Sequence, residues 1–267
     1  MTDSFAELRE QWLARPIDAS PGLGAPAAFV DETQSTNDDA KDAAARGAVH
    51  GSLFVAGSQT AGRGRQGRHW DGDERASLLF SIVVRVPVVH RFVGAIPVAA
   101  GLALAEAMDA LAPQAGATVK WPNDVRVRGR KVAGILAEAT VRAGVVESIV
   151  VGVGVNVGKM QFASEFADRA TSLENEGIHV AKFAMLEAFL TRFDALVSRV
   201  AVHGLRDVEA RMRARHELFG QRIVRSDGVA GIADVIDDEG RLVVRCDEAV
   251  ERWSSGEVHL AAHGAAS

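Results

Sequence analysis

Gln59-Thr60-Ala61-Gly62-Arg63-Gly64-Arg65-Gln66-Gly67-Arg68-His69-Trp70 interleaves glycine with arginine and closes on a tryptophan. No packed helix or strand favours this composition, because each glycine adds backbone freedom that folding must remove. A loop that wraps an anion does favour it. Glycine lets backbone N–H groups approach closely, and arginine offers a planar donor fork to carboxylate or phosphate. Disordered nucleic-acid tethers share the composition, so the flanks decide. Leu53-Phe54-Val55-Ala56 before the loop and Leu78-Leu79-Phe80-Ser81-Ile82-Val83-Val84 after it read as buried strands. A basic glycine loop slung between two core strands is a lid over a site.

The remainder of the chain suits a small anionic ligand better than a polyanion. Its 267 residues have room for one large domain and a small one, and 48% hydrophobic with 24% charged residues is enough for a core. The net charge of −5 argues against a general DNA or RNA binder, so Arg63, Arg65 and Arg68 form a local positive focus. The single cysteine, Cys246, excludes an intramolecular disulfide framework and reads as a small core hydrophobe in a strand. Met1-Thr2-Asp3-Ser4-Phe5 lacks the pattern of a signal peptide. The longest apolar stretch, Val93 to Leu111, carries Pro97, Glu106 and Asp109 and is a core helix rather than a membrane span. A soluble, cytoplasmic protein is expected. The histidines lie singly, with no HExxH, and neither a GxSxG elbow nor a Walker A loop is present. Only His69 adjoins a candidate site, and surface solvation is its simpler explanation.

Taken in order, residues 4–14 predict one amphipathic helix with Phe5, Leu8, Trp12 and Leu13 on a face, then a linker through Pro26. Ser35-Thr36-Asn37 opens a helix that runs to Gly47, either as plain caps or as a polar ligand seat. A helix from Phe92 to Leu111 follows. Val119-Lys120-Trp121-Pro122-Asn123-Asp124 is strand, bend, strand. Lys120, Asn123 and Asp124 gather there to meet nucleotide phosphates and a metal, unless this is a hairpin with a solvated lysine. Gly129 to Glu138 is a turn entering a central strand, with Lys131 at the passage from turn to core. A lysine there either snorkels or holds an anion. Ser148 to Val157 is a second central strand, whose Gly152-Val153-Gly154-Val155-Asn156-Val157-Gly158 has the wrong spacing for a dinucleotide fingerprint. Its glycines let something pack flat against the strand. Helices over 180–202 and 204–217 precede short period-two strands from Phe219, which make a small antiparallel barrel.

In this order the pieces resemble the biotin protein ligases from about residue 29 to 260. Ser35-Thr36-Asn37, the loop to Trp70, Lys120 to Asp124, Lys131 to Glu138 and Gly152 to Val157 carry the resemblance, with Ala170-Thr171-Ser172-Leu173 weaker. It implies an α+β fold: a central mixed sheet with packed helices, related to class II aminoacyl-tRNA synthetase cores, plus an SH3-like C-terminal barrel. The corresponding divisions are an arm at 1–26, a catalytic domain at 27–217 and the barrel at 218–262. The resemblance implies that biotin and MgATP give biotinyl-5′-AMP, from which a lysine on the biotin carboxyl carrier domain of a carboxylase takes biotin. It assigns Lys131, Arg65 and Arg63 to catalysis. Biotin would meet Ser35, Thr36, Asn37, Gln59, Gly62, Arg63, Gly64, Arg65, Lys131, Gly134 and Gly152. ATP would meet Trp70, Lys120, Asn123, Asp124 and Asn156, with Asp124 on Mg²⁺. Some members carry an N-terminal DNA-binding module, for which the arm has no room, so no DNA partner is expected; no membrane partner is expected either, and a homodimer is admitted. Lipoate ligases and octanoyl transferases share the fold, but their signatures are not seen here. A biotin sensor without turnover is the alternative outside enzymes.

Overall fold

The computed structural model describes residues 3–15, 22–70, 72–247 and 249–261. Part of the expected linker (16–21) and the expected barrel terminus at 262 lie outside them. Apolar residues on both faces make β3 (Ser77–Val84) a strand buried along its whole length. It pairs antiparallel with β2 (Leu53–Gln59) and with β7 (Val145–Asn156). β1 (Ala27–Thr33) lies parallel to β2, while β6 (Arg130–Arg142) forms a hairpin with β7. With β5 (Asp124–Val127) and β4 (Thr118–Lys120) they make a seven-stranded mixed sheet in the order β1-β2-β3-β7-β6-β5-β4.

Alternation along each strand gives the sheet two uses. Leu78, Phe80 and Ile82 of β3, with Val151, Val153 and Val155 of β7, pack against α3 (Ala95–Leu111) and α4 (Lys182–His203) in the main core. On the other face α2 (Thr36–Ala45) forms a small second cluster, Ala40 and Ala44 on Val83 and Val150 with Phe54 and Ala48 at its edge. The rest of that face is left for a site.

The first helix, α1 (Phe5–Leu13), starts in a capping box between Ser4 and Glu7. Phe5, Leu8 and Trp12 are buried, but Leu13 is 69% exposed. At 100° per residue, Leu13 lies well off the stripe that the other three define. Trp12 packs on Phe29 and Phe183, and Asp3 accepts the backbone N–H groups of Lys182 and Phe183. Asp3 thereby caps α4, whose own N-cap residue, Ala181, has no side-chain acceptor.

The short helix α5 (Glu209–Arg215) leads into β8 (Arg222–Arg225), β9 (Ala230–Ile236), β10 (Leu242–Arg245), β11 (Val250–Trp253) and β12 (Val258–Leu260). They form a five-stranded antiparallel sheet in the order β11-β10-β9-β8-β12. Its β9–β10 turn is pressed against the large sheet's helices. A Cβ on Gly240 would lie 2.3 Å from the Gly94 carbonyl, and the Trp121 indole donates to the Gly240 carbonyl at 2.9 Å.

Candidate active site

The floor of the site is a patch without Cβ atoms. In the β6–β7 ladder Gly134 faces Gly154 and Leu136 faces Gly152. The glycines of β7 predict a flat ligand there. In the structure side chains take the space: a Cβ on Gly152 would lie 2.0 Å from Asn37 Oδ1, and one on Gly154 would lie 2.4 Å from the Trp70 ring. Gly134 meets the same ring at 2.9 Å. The flat object on the sheet is Trp70.

One wall is the start of α2. Ser35 is the N-cap residue, yet its side chain makes no capping bond, so capping does not account for it. Thr36 donates to Gln59 Oε1 from its N–H at 2.8 Å and from its hydroxyl at 3.1 Å. The Asn37 amide donates to Glu138 at 2.8 Å and to the Leu136 carbonyl at 3.3 Å. Ser81 lies 2.7 Å from Thr36 Oγ1 and 2.6 Å from Asn37 Oδ1. Ser81 is a site residue outside those assigned by the resemblance, although a hydroxyl inside an apolar strand signals a buried partner.

The opposite wall is the bend between β4 and β5 with the start of β6. Lys120 is half-buried on the cavity wall, and burial holds its ammonium below its ordinary pKa. Lys131 Nζ lies 2.7 Å from Asp124 Oδ1 and 5.3 Å from the Trp70 ring centre. Its backbone is pinned on both sides, donating to Arg169 and accepting from Thr171 at 2.8 Å. Asn123 and Asn156 brace the walls by donating to the carbonyls of Ile135 at 2.9 Å and Thr171 at 3.0 Å.

The glycine–arginine loop is the roof. Gly62 is buried at its neck, where Trp70 donates its N–H to the Gly62 carbonyl at 2.9 Å and a Cβ would lie 2.5 Å from the Trp70 oxygen. That close approach explains the glycine, and it takes Gly62 off the cavity wall, contrary to expectation. The Arg63 fork is filled by Asp38, so Arg63 brings no unpaired cation to the site. Burial lowers the Arg65 pKa, opposed by Asp124, and Arg68 pairs with Glu257, the residue before β12. Beneath the loop is a cavity of about 980 Å³, the size of a small-molecule site. Met160, Phe162 and Phe166 line it, as do Gly256 to Leu260, and none of these is among the residues the resemblance assigns to the site.

Among the described residues no group of three or more His, Cys, Asp or Glu side chains could hold a metal ion. Magnesium binds through one or two carboxylates and completes its shell with phosphates and water. Asp124 alone fits an ion that arrives with a nucleotide.

Residues 28–156 match the biotin/lipoate A/B protein ligase family, and residues 221–260 match the biotin protein ligase C terminal domain. The biotin–[acetyl-CoA-carboxylase] ligase of Mycobacterium tuberculosis is 37% identical over 254 residues, 86% of this chain and 88% of that protein. The chain belongs to the biotin protein ligase family. The biotin–[acetyl-CoA-carboxylase] ligase of Paracoccus denitrificans is 33% identical over 226 residues, 81% of this chain and 93% of that one. A biotin protein ligase from Aquifex aeolicus, solved in complex with biotin and ATP, superposes with a TM-score of 0.76 at 23% identity. That superposition covers 89% of this chain and 100% of the other, and it is a likeness of fold. It bears out the α+β expectation: a mixed sheet with packed helices, followed by an antiparallel sheet. Every residue that the biotin ligase resemblance assigned, except Gly62, lines the one cavity. Among the described residues no helix is long and apolar enough to cross a membrane.

Proposed function

We propose that this cavity joins biotin to ATP, releasing pyrophosphate, and then passes biotin from biotinyl-5′-AMP to a lysine of a carboxylase's biotin carboxyl carrier domain, releasing AMP. The observation that carries the reading is the place of Lys131. Paired with Asp124 on the wall that carries Lys120 and Asn123, its ammonium lines the same cavity as the uncharged polar groups Ser35, Thr36, Asn37 and Gln59.

The first step brings a carboxylate oxygen onto the α-phosphorus while the bond to the β-phosphate breaks. Two anions must approach, and a fixed cation between them lowers the repulsion and the charge that builds in the transition state. Lys131 supplies that cation, with Arg65 above it. The uncharged wall offers hydrogen bonds to the polar ring of biotin, and Trp70 rides on the loop to cover the adenine. Mg²⁺ bound with ATP adds neutralisation of the triphosphate, and Asp124 is the residue that would hold it. In the second step the carrier lysine attacks the acyl carbon, AMP leaves and the amine gives up a proton. Mixed anhydrides hydrolyse, so the roof excludes water until the carrier arrives.

Purified protein, ATP, a carrier domain and either biotin or lipoate test the reading by the mass of the carrier. A biotinyl mass gain, abolished without ATP, is expected. A gain with lipoate alone, or none, overturns it.

A further inference from the structure

We propose that Asp38 is a positioning residue of this reaction: with Lys41 and Glu138 it forms a hasp that holds Arg63, and through Arg63 the glycine–arginine loop, down over the cavity. The inference rests on the biotin ligase reading above and adds what closes the lid.

Asp38 lies in the first turn of α2, directly after the polar wall. Both its oxygens accept from the two terminal nitrogens of Arg63, the bidentate arrangement that fixes direction as well as distance. Asp38 is itself held. Lys41, one turn on, reaches Asp38 Oδ1 at 3.0 Å and Glu138 Oε1 at 2.9 Å. The second oxygen of Glu138 accepts from Asn37 at 2.8 Å and lies 3.9 Å from Arg63. Arg63 and Lys41 thus balance Asp38 and Glu138, and the charge of Arg63 is consumed outside the chemistry. Helix, strand and loop meet in this one cluster.

Arg63 is also where a grip on the loop is most effective. It bridges to His69 across the loop's neck, next to the Gly62–Trp70 contact, so holding Arg63 holds the Trp70 ring on its glycines. The four side chains are between 31% and 39% exposed. Ion pairs at such exposure are weak enough to open for substrate and to close again. The Arg63 fork, helped by Lys41, brings the Asp38 carboxyl to about 2, so Asp38 stays charged at any working pH.

The test compares Asp38→Asn and Asp38→Glu in the full chain by two measurements. One is hydrogen exchange of amides 62–70 without ligand; the other is the ratio of biotinyl-5′-AMP released to biotin transferred. Asp38→Asn is expected to speed exchange roughly fivefold in 62–70 alone and to raise the released fraction severalfold, with both restored by Asp38→Glu. Lys41→Met should move both measurements the same way by less. Unchanged exchange in Asp38→Asn, exchange raised equally across the central sheet, or no rescue by glutamate would overturn the hasp. Exchange needs no catalysis, so a wild-type protein that makes no adenylate would refute the ligase reading and leave the exchange result to judge the hasp.

Discussion

In the proposed chemistry Lys131 is a cation whose backbone is held on both sides while its side chain is free to turn. The strand-like contacts to Arg169 and Thr171 fix the Cα, and Asp124 is an exchangeable partner for the ammonium. When two anionic substrates enter, the ammonium can turn from one carboxylate to the reacting groups without refolding anything. Lys131→Ala is therefore expected to cost about 3 kcal/mol in the first step, about a hundredfold, read as biotin-dependent pyrophosphate exchange. Near-normal exchange would remove Lys131 from the chemistry. The glycines underneath make a second single-residue prediction. A Cβ on Gly154 would lie 2.4 Å from Trp70, and Trp70 belongs to a loop while Gly154 belongs to a core strand. The ring is what yields. In Gly154→Ala the KM for ATP should rise on the order of tenfold, about 1.4 kcal/mol, while the thermal midpoint moves little. A large loss of stability with unchanged KM would show that the sheet had yielded instead.

The loop from Gly62 to Trp70 is the element on which the site depends. It is tied at its neck by Gly62 and Trp70, at one side by Arg63 and Asp38, and towards its tip by Arg68 and Glu257. Surface pairs of this kind contribute little each, so the loop is closed by several weak ties rather than one strong one. Arg65 lines the cavity, and it differs from Arg63 and Arg68 in that desolvation rather than a carboxylate partner dominates its surroundings. Arg65→Gly is expected to leave the other ties in place and to let biotinyl-5′-AMP escape, measured as labelling of nearby lysines on added protein. Unchanged adenylate release in that variant would end the retention role. Amides 62–68 should also gain hydrogen-exchange protection on biotin binding, and equal exchange with and without biotin would contradict a lid.

Across the whole molecule, the small sheet completes the site as well as following it. Its β9–β10 turn receives the Trp121 indole, one residue from Lys120, and Glu257, the residue before β12, anchors the loop. His216 lies at the same joint, where Glu217 donates to Val119 and Asp234 belongs to β9. Burial pulls His216 down to about 4, with the carbonyls of Val119 and Asp234 opposing. The sign follows from proton binding. Below about pH 6.5 the unfolded chain takes up a proton that the folded joint refuses, so stability falls with pH until about 4. From pH 7 to pH 5.5 this one group should cost about 1 kcal/mol. Denaturant titrations at both values, in the wild type and in His216→Gln, measure it: the pH dependence should shrink by that amount in the variant. Equal pH dependence would place the effect elsewhere.

Local pattern determined much of this from the sequence alone. Continuous apolar runs gave β3 and β7, period two gave the small sheet, and the 3.6-residue spacing gave α4, because each of these depends on neighbours a few residues away. The polar triplet, the bend at Lys120 to Asp124 and Lys131 were legible as out-of-place polar groups, and so was the glycine–arginine loop. What sequence could not show was which partner each group meets, since that is set by contacts a hundred residues apart. Asn37 meets Glu138, Arg68 meets Glu257 and Trp70 lies on Gly154, and nothing local fixes those distances. The same holds for Arg63 and Lys120. Both are cations in sequence, and only packing decided that Asp38 neutralises the first and burial desolvates the second.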